Sequence, residues 1–166
     1  MSNIPKIYFN AGPTLLPKEV LQKAQSEFLD YQKSGISILE TSHRSEIYKE
    51  INSNAQKSLR KLLSIPDEYE ILFLQGGATG HFSAVPLNLT PDKNSKTDYI
   101  VTGVWSRKAS KEAKNFSCVY NVLPGGECCV GIPDIDSWKR SDEPSYLYYC
   151  DNETVDGIMP NFIYLL

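Results

Sequence analysis

The sequence predicts an α/β fold: a mostly parallel sheet with flanking helices. Three observations carry this. Apolar runs of strand length alternate with stretches of helical periodicity. Glycine or polar turn residues follow the runs at once, as in Gln75-Gly-Gly-Ala-Thr-Gly80 and Gly103-Val-Trp105. The 166 residues are 41% hydrophobic and 22% charged, values of a globular chain long enough for one domain or for a piece of a larger one.

Taken in order, Phe9 to Pro17 holds two prolines and a glycine and reads as an irregular entry segment. Pro17 suits the first turn of a helix whose Val20, Leu21, Ala24, Phe28 and Leu29 recur at helical spacing to about Gln32. Ser34-Gly35 ends it, and Ile36 to Leu39 is a short extended stretch. Ser42 or Ser45 caps a second helix with Ile47, Ile51, Ala55, Leu59, Leu62 and Leu63 on one stripe, stopped by Pro66. Glu70 to Leu74 has strand length. A helix from His81 to about Leu89 is interrupted by Pro86. Strands are expected at 98–103, 117–123 and 145–150, with a Lys-rich helix over 106–115 and a turn at Pro124-Gly-Gly126.

Charge and composition exclude several classes. Seventeen Lys and Arg against 20 Asp and Glu give a net charge of −3, with no basic patch for nucleic acid or a membrane surface. No apolar run approaches the roughly 20 residues that span a bilayer, and Met1 to Lys6 lack the apolar core of a secretory signal. Cys118, Cys128, Cys129 and Cys150 form no CxxC pair and lie far from His43 and His81, so no metal site is expected. Four reduced thiols in a cytoplasmic protein fit best.

Parallel sheets carry their sites at the C-terminal ends of strands. Three loops qualify here. In 76–80, glycines permit close backbone approach and a helix N-terminus offers N–H groups to an anion. Ala78 and Thr79 would supply them, with the Thr79 hydroxyl as an extra donor; a plain tight turn is the competing reading. Trp105 could stack on a flat heteroaromatic ring or could be core. Thr154 could bond a phenolic or carboxylate oxygen, or could cap a turn; Asn152 and Glu153 share that ambiguity. Arg44, beside His43, could fork onto a carboxylate or phosphate or could lie solvated on the surface.

The stretches Phe9-Asn-Ala-Gly-Pro13, Ser42-His-Arg44, 75–80 with Ala84-Val-Pro-Leu-Asn88, Gly103-Val-Trp105 and Tyr149-Cys-Asp-Asn-Glu-Thr154 with Asp156-Gly157, in this order, resemble the phosphoserine aminotransferases. These are fold-type-I pyridoxal phosphate enzymes. The resemblance implies transfer of the amino group of L-glutamate to 3-phosphohydroxypyruvate, giving O-phospho-L-serine and 2-oxoglutarate in L-serine biosynthesis. It implies that Ala78 and Thr79 hold the cofactor phosphate, that Trp105 stacks on the pyridine ring and that Thr154 bonds near the 3-hydroxyl. It implies that His43 and Arg44 receive the anionic end of the substrate in a homodimer.

The resemblance runs to about Gly157 and covers the family's N-terminal half. Residues 1–16 would be an irregular segment and 17–166 a partial, incomplete cofactor-binding large domain. The lysine that forms the internal aldimine is absent from this chain, so no catalytic residue is assigned and the chain alone is expected to be inactive. A truncated fragment, inert or paired with an intact subunit, is the alternative reading. A generic nucleotide-binding domain is disfavoured by the lack of a GxGxxG motif.

Overall fold

The computed structural model describes residues 7–123 and 132–159. They fall into two compact units that divide between Phe73 and Leu74.

The first unit is helical. Helix α1 spans Lys18–Ser26 behind Pro17. It ends earlier than its apolar spacing suggests. Gln32 and Lys33 take left-handed backbone angles, Tyr31 N–H donates to the Ile36 carbonyl at 2.9 Å, and Gly35 N–H donates to Asp30 Oδ1 at 2.8 Å. This local loop outcompetes a further helical turn. Ile38–Glu40 is a 3₁₀ turn, where an extended stretch is expected from sequence. The Ser37 hydroxyl accepts from Leu39 N–H at 3.1 Å and Ser37 N–H donates to Glu40 Oε2 at 2.9 Å, a reciprocal cap that curls the chain. Helix α2 spans Glu46–Leu62, and Ser45 is its cap, accepting from Tyr48 N–H at 3.2 Å. After it, the Arg60 guanidinium donates to the carbonyls of Ile65, Pro66 and Tyr69.

The run 70–74 is not a strand. It joins no ladder among the described residues, and Leu72 and Phe73 are 69% and 54% exposed. A side chain, Gln56 Nε2, donates to the Ile71 carbonyl at 3.1 Å. Strand propensity without a neighbouring strand leaves the ladder unformed.

The second unit is the α/β part. Helix α3 spans Gly77–Leu89, β1 Lys96–Ile100, α4 Val104–Ala113, β2 Cys118–Asn121 and β3 Leu147–Tyr149. The strand order is β2-β1-β3 and both pairings are parallel. The expected parallel sheet therefore forms, with β1 central. The glycine loop lies inside the first turn of α3, so that helix starts at Gly77 and not at His81. Pro86 does not interrupt it. The ring forfeits a single N–H donor, and the Pro86 carbonyl is taken by Thr90 N–H at 3.0 Å and Thr90 Oγ1 at 2.7 Å. The strands at 98–103 and 117–123 are shorter than expected, and α4 begins two residues earlier than Ser106. The expected turn at 124–126 and the adjacent Cys128 and Cys129 lie outside the described residues.

Alternate residues of β1 face opposite sides. Tyr99 packs with Phe82, Ala109 and Ala113 beneath α3 and α4. Ile100 packs with Val122 on the other face, with Trp138 and Leu147 against them. The Tyr99 ring stacks on Tyr148 at 4.8 Å, and its hydroxyl bonds that of Tyr146 at 2.7 Å. Burial and that bond hold the Tyr99 hydroxyl far above its usual range. Asp98, fully buried, is satisfied by Ser141 N–H and Oγ, with Arg140 Nε at 3.6 Å.

Candidate cofactor site

Parallel topology fixes where the helix ends lie. Helix α3 feeds β1 through the short connection at 90–95, so its N-terminus lies at the C-terminal edge of the sheet. Helix α4 starts directly after β1, at the same edge, and the loop 150–158 leaves β3 there. Two helix N-termini, each a binding place for negative charge, thus share one edge.

They are in opposite states. The N-terminus of α4 is filled by the protein's own carboxylates. Val104 N–H donates to Asp156 Oδ2 at 2.7 Å, Trp105 N–H to Glu153 Oε2 at 2.8 Å and Ser106 N–H to Glu153 Oε1 at 2.8 Å. The Ser106 hydroxyl reaches back to accept from Thr102 N–H at 2.8 Å and Gly103 N–H at 3.0 Å. Glu153 is fully buried. This anion is thereby held by a helix end in place of a cation.

Among the described residues, the N-terminus of α3 has no such cap. Gly76 is its N-cap residue, at φ +99°, and offers no side chain. The first intrahelical bond is Gly80 N–H to the Gly76 carbonyl, 3.0 Å. The N–H groups of Gly77, Ala78 and Thr79 precede it, and Ala78 and Thr79 are exposed. A left-handed glycine followed by a first helical turn whose N–H groups have no intrahelical partner is the donor set a phosphate takes. Thr79 also lines an open cleft of about 430 Å³ with Phe82, Lys108, Lys111, Glu112 and Asn115. Two ammonium groups there add positive charge, partly countered by Glu112, whose carboxylate accepts from Ser83 Oγ at 2.8 Å. Trp105 and Thr154 do not line this cleft.

Trp105 and Thr154 meet elsewhere on the edge, where Trp105 Nε1 donates to Thr154 Oγ1 at 2.9 Å. The indole is half-buried against the Phe82–Tyr99 core and Thr154 is exposed. Lys108 Nζ lies 4.5 Å from the indole ring centroid, a cation–π contact on the face it covers. Cys150, nearby in the same loop, donates to the Asn152 carbonyl at 3.4 Å. Burial, and then the Glu153 carboxylate, push its thiol pKa up.

His43 and Arg44 belong to the first unit. Both are exposed, in the turn that leads into α2, where Arg44 N–H donates to Ser42 Oγ at 3.2 Å.

A family model described as aminotransferase class-V matches residues 7–164. The chain belongs to that family. Among its relatives, the phosphoserine aminotransferase of Acinetobacter baumannii is 50% identical over 153 residues, covering 90% of this chain and 42% of the bacterial protein. That of Drosophila melanogaster is 46% identical over 157 residues, covering 95% of this chain and 43% of the fly protein. A crystal structure of PLP-bound phosphoserine aminotransferase from Trichomonas vaginalis superposes with a TM-score of 0.82 at 39% identity, covering 92% of this chain and 43% of that one. The chain spans less than half the length of the class-V relatives it matches.

The parts that Glu153, Asp156 and Gly103 play together at this edge escape reading from sequence. Glu153 and Asp156 cap α4 across 47 to 52 positions of sequence, which no local pattern reports. Gly103 permits their approach: a Cβ there would lie 2.7 Å from Glu153 Cδ and would also meet the Asp156 carboxylate. The signal available in sequence was two acids and a threonine within four residues after a strand.

Proposed function

We propose that a protein carrying this chain is a pyridoxal phosphate-dependent phosphoserine aminotransferase. It would move the amino group of L-glutamate to 3-phosphohydroxypyruvate, giving O-phospho-L-serine and 2-oxoglutarate in cytoplasmic L-serine biosynthesis. The observation that carries this reading is the contrast between the two helix N-termini. One is neutralised by Glu153 and Asp156; the other, at Gly77 to Thr79, lacks a cap among the described residues and suits a phosphate.

The residues fit the cofactor. Ala78 and Thr79 N–H groups, with the Thr79 hydroxyl, would hold its phosphate. The Trp105 ring would stack on its pyridine, on the Lys108 face only if that ammonium moves away. The Thr154 hydroxyl would bond its 3-oxygen. When bound, the cofactor supplies an electron sink for the carbanion that transamination creates. His43 and Arg44 would take the substrate's distal anion, in a site completed by the partner subunit of a homodimer. Residues 1–16 would be an entry segment and 17–166 the partial large domain, with neither a membrane nor a nucleic acid as partner.

No lysine among the described residues is suited to hold the cofactor covalently. Lys108 and Lys111 are exposed on α4, whereas a nucleophilic amine needs a desolvated position. The chain by itself would therefore transfer no amino group. The test is O-phosphoserine formation from glutamate and 3-phosphohydroxypyruvate, by a protein carrying this chain joined to the family's second half. Activity there and none in the chain alone supports the proposal; inactivity of the joined protein, folded and dimeric, overturns it.

A further inference from the structure

The bond between Trp105 and Thr154 has only one possible sense. An indole N–H donates and never accepts, whereas a hydroxyl does both. At 2.9 Å, Trp105 Nε1 therefore gives its proton to Thr154 Oγ1, which leaves the Thr154 hydroxyl proton for another acceptor. Both ends of the bond rest on the same residue. Glu153 Oε2 accepts from the backbone N–H of Trp105, and Thr154 follows Glu153 directly in the chain. Glu153 is buried and its two oxygens are tied to successive N–H groups of α4. The indole and the hydroxyl are thus fixed to one another through a rigid helix end.

We infer that Trp105 sets the polarity of the Thr154 hydroxyl, so that this loop presents an O–H donor and selects a ligand with an ionised phenolic oxygen. The inference rests on the cofactor reading above and goes beyond it. Trp105 acts there as a positioning residue as well as a stacking surface, and Thr154 discriminates the ionisation state of what it touches. A neutral phenol would gain less, because a bond to a charged acceptor is the stronger one.

Pyridoxamine 5′-phosphate tests this in the full chain, since it binds without a covalent lysine link. Its affinity is compared with that of the analogue lacking the 3-hydroxyl, by quenching of tryptophan fluorescence in the parent and by calorimetry in every variant. The parent is expected to prefer the hydroxylated ligand by about tenfold, the size of one charge-assisted bond. Thr154→Val should remove the preference and Thr154→Ser should keep most of it. Trp105→Phe, which keeps a stacking face, should reduce the preference to about twofold, and should add no further loss of preference in the Thr154→Val background. Should Trp105→Phe fail to fold, benzothienylalanine at position 105 replaces Nε1–H by sulfur and keeps the ring system.

An equal loss of affinity for both ligands in Trp105→Phe, with the preference intact, overturns the polarity role. Equal affinity of the parent for both ligands also overturns it, and leaves the cofactor reading standing. Failure of the parent to bind either ligand overturns both.

Discussion

Replacing Glu153 by Gln should destabilise the second unit far more than its small change in shape suggests. The carboxylate is fully buried and accepts from Trp105 N–H and Ser106 N–H at 2.8 Å each, with Thr102 Oγ1 at 3.5 Å from Oε1. In the amide, one of these oxygens becomes an NH₂ group that faces an N–H donor. One charge-assisted bond is lost, about 1.5–3 kcal/mol, and the favourable interaction of the charge with the helix end goes with it, about 0.3–1 kcal/mol more. The sum is about 2–4 kcal/mol. With a urea slope of roughly 2 kcal/mol/M, the unfolding midpoint should fall by about 1–2 M. Urea titrations followed by tryptophan fluorescence and by far-ultraviolet circular dichroism measure this, with the exposed Glu68→Gln as control. A Glu153→Gln midpoint equal to that of the control would refute the capping account.

Gly103→Ala should cost about 1–3 kcal/mol, because the new methyl meets the Glu153 and Asp156 side chains; an unchanged melting temperature would show that the loop yields freely. Alkaline pH should weaken the fold through the buried Tyr99 and half-buried Tyr148 phenols. Burial pushes the Tyr148 hydroxyl up to about 12, from an ordinary value of 10, and moves Tyr99 in the same direction. The folded state therefore keeps protons that the unfolded chain releases, so this stability is whole below pH 10 and is lost as pH rises towards 12. Tyr148→Phe should flatten that decline, and an unaltered pH profile would contradict it. The Cys150 thiol, raised by burial and by Glu153, should react with iodoacetamide more slowly at neutral pH in the folded chain than in urea, as read by peptide mass spectrometry; equal rates would deny the shift. In a protein completed by the family's second half, Arg44→Ala should raise KM for both substrates by about one to two decades and leave the cofactor spectrum unchanged; unaltered KM would remove Arg44 from the site.

How much of this was legible in sequence differs by element. The pairing of β1 with β2 was, because a helical stretch separates the two strand-like segments and a parallel pair demands such a crossover. The run 70–74 looked equally strand-like, yet a strand depends on its neighbours and finds none among the described residues. The end of α1 was misplaced because Asp30, Ser34 and Gly35 form a loop of their own, which apolar spacing does not register. At the site, the glycine turn at 76–80 and the positions of Trp105 and Thr154 after strands were visible, since they are local. The capping of α4 by Glu153 and Asp156 was not, since it joins residues 47 to 52 apart. For the same reason the direction of the Trp105–Thr154 bond follows only from the folded chain.

The most direct test of the central claim, that the N-terminus of α3, uncapped among the described residues, is a phosphate site, compares pyridoxamine 5′-phosphate with pyridoxamine in binding to the full chain. The phosphorylated ligand should bind more tightly by at least about tenfold, and Thr79→Pro, which removes one N–H and the hydroxyl from the first turn, should abolish most of that difference. Equal binding of the two ligands, or a preference untouched by Thr79→Pro in a folded chain, would contradict the account.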